Sequence, residues 1–140
     1  MEIKIIVDKL LKLSKLAYDR DEIPVAAIVV KNGKIVGGGI NDRNENSTVV
    51  GHAEINAIEM ACKYFSDWRL DGCELYVTLL PCMMCAGAIL ESRIEKVYYM
   101  CDRTNVCFNP ADYICIEKIE DEKCNEYVHL LQLFFENKRN

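Results

Sequence analysis

Ile3, Ile6, Val7, Leu10, Leu13 and Ala17 recur at helical spacing, with Lys4, Asp8, Lys12, Lys15 and Asp19 opposite them. An apolar stripe repeating every three to four residues predicts an amphipathic first helix. After Pro24 the pattern changes. Residues 25–30 form an apolar run of six, too short and too β-branched for a helix, and read as a strand. Asn32-Gly33 is a strong hairpin turn, so residues 34–38 read as the returning strand. A polar loop over residues 41–48 follows.

From Ala53 to Phe65 nearly every position is an apolar helix former, including Ala53, Ile55, Ala57, Ile58, Met60, Ala61 and Cys62. A helix apolar round most of its girth is packed on several sides, in a core or against a second copy of the chain. Residues 73–79 read as the next strand. Pro81 stands where another helix would begin, because proline at a first helical position loses no needed hydrogen bond. That helix continues over residues 85–91, and residues 96–101 are again a strand. Strand, helix, strand makes a parallel crossover. Asn109-Pro110 breaks the stretch 102–120, with a short strand over residues 113–116. Tyr127, Leu130, Leu131, Leu133 and Phe134 fall on one side of a terminal helix that ends in Lys138-Arg139. Without repeats or a linker, the expectation is one α/β/α domain over residues 1–140.

Composition sharpens this picture. The chain has 140 residues, 51% hydrophobic and 28% charged, enough for an ordinary globular core. No apolar run nears the ~18 residues of a membrane span, and Lys4, Asp8, Lys9 and Lys12 interrupt any leader-like stretch. A cytoplasmic protein without a membrane partner is expected. The net charge of −5 argues against indiscriminate nucleic-acid binding and leaves a local basic patch open. Eight cysteines in such a setting point to metal binding or core packing rather than disulfides. Cys62, Cys73, Cys115 and Cys124 sit singly in apolar patterns and read as core. Cys101 and Cys107 lack the spacing of a second metal site, and His129 reads as a surface or packing residue.

The chemistry lies in His52-Ala53-Glu54 and, 27 residues beyond Glu54, Pro81-Cys82-Met83-Met84-Cys85. Zinc takes nitrogen and sulfur donors, and a catalytic site uses three protein ligands with the fourth position open. His52, Cys82 and Cys85 supply those three at helix N-termini, where unpaired amides and the positive dipole end favour thiolates. One zinc ion per subunit would lower the pKa of water to about 7, and Glu54 is placed to shuttle the protons. The expected reaction is hydrolytic deamination of an amidine-like carbon. Cys-x-x-Cys alone would equally fit a redox pair or half of a structural zinc site, but neither needs His52 or Glu54. A peptidase would require His-Glu-x-x-His, which the chain lacks.

These residues resemble the cytidine deaminase superfamily, and within it the bacterial tRNA adenosine deaminases. The resemblance spans roughly residues 22–100. It rests on Glu22-Ile23-Pro24-Val25, Asn41, Gly51-His52-Ala53-Glu54-Ile55, Trp68-Arg69-Leu70, Leu75-Tyr76-Val77-Thr78-Leu79, the Pro81–Ile89 motif and Ser92-Arg93-Ile94. It returns at Leu130-Leu131-Gln132-Leu133-Phe134-Phe135 with Lys138-Arg139. The resemblance implies a cytidine-deaminase-like fold with a central mixed sheet of about five strands. It also implies zinc ligands His52, Cys82 and Cys85, Glu54 as proton shuttle, and a substrate pocket involving Asn41, Val25, Ala53 and Pro81. The implied substrate is the wobble adenosine of a tRNA anticodon stem-loop, converted to inosine by a homodimer. The alternative is a deaminase of a free nucleobase, nucleoside or nucleotide, and a third class is a non-catalytic zinc-stabilised module.

Three departures bear on the substrate rather than the chemistry. Thr48-Val49-Val50-Gly51 stands where the family has Asp-Pro-Thr-Ala, and Leu80 replaces its glutamate. The segment Met100-Cys101-Asp102-Arg103-Thr104-Asn105 lacks the glycines of the family's nucleic-acid loop, and Glu117, Glu120, Asp121, Glu122 and Glu126 cluster beyond it.

Overall fold

A computed structural model describes residues 1–104 and 107–138, so the Asn105 and Arg139 of the segments above lie outside the described residues. The chain order is α1 (Ile3–Asp19), β1 (Ala26–Lys31), β2 (Lys34–Ile40), α2 (Ala53–Phe65), β3 (Cys73–Leu79), α3 (Met83–Glu91), β4 (Lys96–Cys101), a 3-10 turn (Pro110–Asp112), β5 (Ile116–Lys118) and α4 (Cys124–Asn137). The five strands form one mixed sheet in the order β2-β1-β3-β4-β5. β1 pairs antiparallel with β2 and β3, while β3, β4 and β5 run parallel. Asn32 and Gly33 both adopt positive φ, 51° and 76°. That pair of left-handed residues is what a tight two-residue hairpin turn requires.

Alternation along the strands feeds two hydrophobic layers. Ala27, Val29, Leu75, Val77 and Val97 face α2 and α3, with Ala53, Ala57, Ile58, Ala61 and Ile89. Ala26, Ile28, Val30 and Tyr76 face the other way, onto α1 and α4. Central strands buried on both faces read as near-continuous apolar runs, as β1 does. The three-layer α/β/α expectation agrees with this arrangement. Among the described residues, no helix is long and apolar enough to cross a membrane.

Several local expectations shift. In α1 the buried face is Ile6, Val7, Leu10, Leu11, Ser14 and Ala17, whereas Ile3 is exposed and Leu13 half-buried. The helix lies on the sheet from Ile6 to Ala17. α2 buries only one side, leaving Glu59, Met60, Lys63 and Tyr64 exposed. The expected strand at 113–116 is instead β5, Ile116–Lys118, because the 3-10 turn extends the chain's return to the sheet. Cys73 is buried as expected, but Cys115 is exposed at the tip of that return. His129 is exposed.

The contact that positions the site is α2 on β2. A Cβ at Gly39 would stand 2.5 Å from Ala53 O and 2.7 Å from Ala57 N, and one at Gly37 would stand 2.5 Å from Ala57 O. Backbone therefore rests directly on the Ala53–Ala57–Ala61 stripe, with no side chain between. Gly39→Ala is expected to destabilise the fold by about 1–3 kcal/mol, the usual cost of overpacking. Gly38→Ala, whose Cβ would come no nearer than 3.8 Å to Ala27 O, is expected to change stability little. Chemical denaturation of both variants checks this, and equal stabilities would show that α2 does not press on β2 there.

Candidate active site

The site forms where several chain segments turn at one end of the sheet. β2 and β3 end there at Ile40 and Leu79, and β1 begins there at Ala26. Asn41, Leu79 and Val25 are consequently neighbours across three strands. In open α/β sheets this end is where ligands bind.

Two helix N-termini close over it. His52 caps α2 in extended conformation and Glu54 sits in the first turn. Cys82 caps α3, also extended, and Cys85 follows in the first turn. Pro81 thus precedes the cap instead of opening the helix. Neither cap residue uses its side chain to satisfy the helix end, so both point their donors elsewhere. His52 Nδ1 lies 3.5 Å from Cys82 Sγ and 3.4 Å from Cys85 Sγ. The three candidate ligand atoms all fall within 4.8 Å of one another, a group able to hold one metal ion. Among the described residues no other such group exists, and Cys101 and Cys107 make none.

The electrostatics favour a cation. Cys82 is held down to about 3, chiefly by its hydrogen bond with Cys85 and further by His52. The same contact, together with burial, pushes Cys85 well above the ordinary thiol range. A metal ion bound there would displace the thiol protons.

The loop ahead of His52 is fixed by carboxylates. Buried Glu22 accepts hydrogen bonds from the backbone N–H of Asn44 at 3.1 Å and of Glu45 at 2.8 Å. Asp42 accepts from the Asn56 side chain at 3.0 Å, which ties the loop to α2. A Cβ at Gly51 would stand 2.3 Å from Asp42 Oδ1 and 2.8 Å from Thr48 Cγ2, so the loop closes tightly before His52.

Beside the cluster lies a cavity lined by Asn41, Val25, Ala53, His52 and Glu54. Of the four residues the resemblance implied for a substrate pocket, Asn41, Val25 and Ala53 line this cavity, while Pro81 is buried and does not. Two buried oxygens there, Asn41 Oδ1 and Glu54 Oε2, have no partner among the described residues. A buried orphan acceptor costs about 1–3 kcal/mol, and two in one cavity mark a place built for a ligand's donors. Burial pushes the Glu54 carboxyl above the usual carboxylate range. Ile23, Arg43, Leu79, Arg103 and Phe135 complete the lining and were not anticipated as site residues. Ile23 and Phe135 fall in segments carrying the family resemblance, which was the available signal. Arg103 belongs to the segment that lacks the glycines of the family's loop, and nothing local distinguishes it.

A family model described as MafB19-like deaminase matches residues 1–139. The chain is 45% identical over 89 residues to a tRNA-specific adenosine deaminase of Bacillus subtilis (strain 168), covering 64% of this chain and 55% of that protein. It thus spans little more than half the length of the curated relatives first matched, 55%, 59% and 57%. It is 36% identical over 137 residues to a tRNA-specific adenosine deaminase of Buchnera aphidicola subsp. Schizaphis graminum, covering 92% of this chain and 91% of that one. A solved structure from a study of A-to-I editing by tRNA:A34 deaminases at the wobble position superposes with a TM-score of 0.78 at 31% identity. That similarity covers 88% of this chain and 96% of the other.

Cys82→Ser removes one of three donors and is expected to lower metal affinity by at least about tenfold, a loss comparable with disturbing a ligand's supporting shell. Metal content after dialysis measures it, and undiminished content would show that the ion is held elsewhere.

Proposed function

We propose that this chain, which belongs to the MafB19-like deaminase family, is a zinc-dependent hydrolytic deaminase that converts the wobble adenosine of a tRNA anticodon to inosine. The carrying observation is the His52-Cys82-Cys85 group standing beside the unpartnered oxygens of Glu54 and Asn41 in one cavity. Tetrahedral zinc with Zn–S near 2.3 Å and Zn–N near 2.0–2.1 Å requires N···S separations of about 3.5–3.6 Å. The separations of 3.5 and 3.4 Å accord with that edge. Two thiolates and a neutral imidazole would leave the ion formally neutral.

A zinc ion held there supplies a Lewis acid that lowers the pKa of water from 15.7 to about 7. The chain's residues do the rest. Glu54, its pKa raised by burial, takes one of the water's protons and delivers it to the ring nitrogen, then carries the second, from the added hydroxyl, to the departing amine. Water's oxygen replaces the exocyclic nitrogen, which leaves as ammonia. Asn41 Oδ1 accepts a hydrogen bond from an N–H of the bound base. Val25, Ala53, Ile23 and Leu79 hold its faces and exclude bulk water.

A single zinc deaminase domain in the cytoplasm fits the chain, whose eight cysteines are all free as in a reducing compartment. Homodimerisation is supported by an unpartnered apolar face on α3, where Met83 and Leu90 are 65% and 52% exposed and a Cβ at Gly87 would meet nothing. tRNA as substrate is supported by what the relatives' names say of those proteins. A second reading, deamination of a free base, nucleoside or nucleotide, is favoured by the net charge of −5.

Incubation of zinc-loaded protein with unmodified tRNA, beside free adenine, guanine, cytosine and their nucleosides, separates the two. Inosine in tRNA with little ammonia from the small molecules is expected, and the opposite outcome favours the second reading. Glu54→Ala is expected to lower turnover by at least about 10²-fold, the lower range for general acid–base catalysis, while zinc stays bound. Near-full activity of that variant would defeat the mechanism.

A further inference from the structure

Among the described residues, two side chains with a fixed positive charge line the cavity, Arg43 and Arg103. The chain carries 22 acidic against 17 basic residues, so two guanidiniums at one opening run against its overall charge. Among the described residues neither makes an ion pair.

We propose that Arg43 and Arg103 clamp phosphate groups at the mouth of this cavity, so that the base admitted is one carried on a phosphate. The proposal rests on the deaminase reading of the site and names the class of substrate it takes.

The two arginines reach the cavity from different sides. Arg43 follows β2 and Arg103 follows β4, with β1 and β3 lying between those strands in the sheet. A base entering over β1 and β3 would have one guanidinium on each flank, as the phosphates on either side of a nucleotide require.

Arg103 is held in place before any ligand arrives, and the backbone beside Arg43 is fixed. Arg103 Nε donates to Leu80 O at 2.5 Å, and Leu80 N–H donates to Cys101 O at 2.9 Å. That anchor uses one edge of the guanidinium and leaves the terminal amines for an acceptor. Arg43 lies next to Asn44, whose N–H is fixed by Glu22 at 3.1 Å. An arginine fork whose side chain is already restrained meets a phosphate bidentately and loses little further freedom. Phe135 of α4 lines the same cavity and is 48% exposed, which gives a ring on which an adjoining base can stack. A neutral free base would need the acceptor Asn41 and the apolar walls, but neither arginine.

The test is binding of an anticodon stem-loop RNA to zinc-loaded protein, followed by fluorescence anisotropy from 50 to 200 mM salt (roughly the range over which phosphate contacts are lost). Arg43→Ala and Arg103→Ala are each expected to weaken binding by about tenfold. Each is also expected to flatten the slope of log affinity against log salt by about 0.7, the value per phosphate on a single strand. Arg103→Lys, which keeps the charge and loses the fork, should fall between. Lys63→Ala, an exposed cation of α2 outside the cavity, should change neither quantity. Zinc content of each variant reports whether the site is intact; Arg43 is exposed, so its variant tests the clamp even if Arg103→Ala fails to fold. Unchanged affinity and slope in Arg43→Ala and in a folded Arg103→Ala overturn the clamp.

If wild type does not bind the stem-loop, the tRNA reading falls and the clamp is read from ammonia release with mononucleotides against nucleosides. A preference for the phosphorylated substrate in wild type, lost about tenfold in KM in the variants, supports the clamp. Equal use of both by wild type overturns it.

Discussion

Two helix N-termini meet at one end of a five-stranded sheet, and the chemistry of this chain depends on how closely they meet. His52 and Cys82 are both cap residues whose side chains ignore the backbone amides beside them. They turn instead toward each other, with Cys85 reaching the same point from the next position on its helix face. The spacing is set at a distance from the ligands. Gly37 and Gly39 let the Ala53–Ala57–Ala61 face of α2 rest on β2 backbone, while the parallel β3-α3-β4 crossover lays α3 on the same side of the sheet. A side chain of even one carbon at Gly39 would lift the α2 N-terminus. An ångström of misplacement in a catalytic group can cost about 10²-fold in rate.

Stability and function pull against each other within this arrangement. Glu54 is almost wholly buried with an oxygen that has no partner among the described residues, as is Asn41. A fold selected only for stability would place apolar groups there, because desolvating such atoms without partners is unfavourable. Their surroundings hold them regardless: strand β2 leads straight into Asn41, and the first turn of α2 carries Glu54. The Glu22 and Asp42 carboxylates, each bonded to neighbouring amides, keep the intervening loop from relaxing around them. Acidic side chains thus stand on both sides of the loop, Glu22 and Asp42 as scaffold and Glu54 at the cavity.

Much of the frame was legible in the sequence because its signals are local. Asn32-Gly33 announces its hairpin, the run at residues 25–30 announces a strand, and the His52-Cys82-Cys85 group able to hold a metal ion follows from residue types and spacing. What escaped depends on packing between distant segments. The full lining of the cavity is one case: Phe135 arrives from the last helix and Arg103 from the segment after β4, and no spacing rule links either to His52. The start of α3 is another, where Pro81 lies one residue outside the cap because Cys82 must remain extended to aim its sulfur. Cys115 read as core from its apolar neighbours, yet the short β5 begins after it and leaves it at the surface. The α2 helix looked apolar all round in composition, while its exposed Met60 and Tyr64 sit on a face that only the three-dimensional arrangement reveals.

Charge adds a second level of organisation. A chain of net −5 gathers arginines at one opening while its acidic residues serve other ends, in the Glu22 anchor and in exposed pairs such as Lys96 with Glu117. Those exposed pairs contribute little to stability. The most direct measurement on the centre itself is X-ray absorption at the zinc edge of protein purified with zinc. Two sulfur scatterers near 2.3 Å, with one imidazole nitrogen and one further light atom near 2.0–2.1 Å, are expected from the mixed donor set. A shell of four sulfurs, or one of oxygen alone, would contradict a site assembled from His52, Cys82 and Cys85.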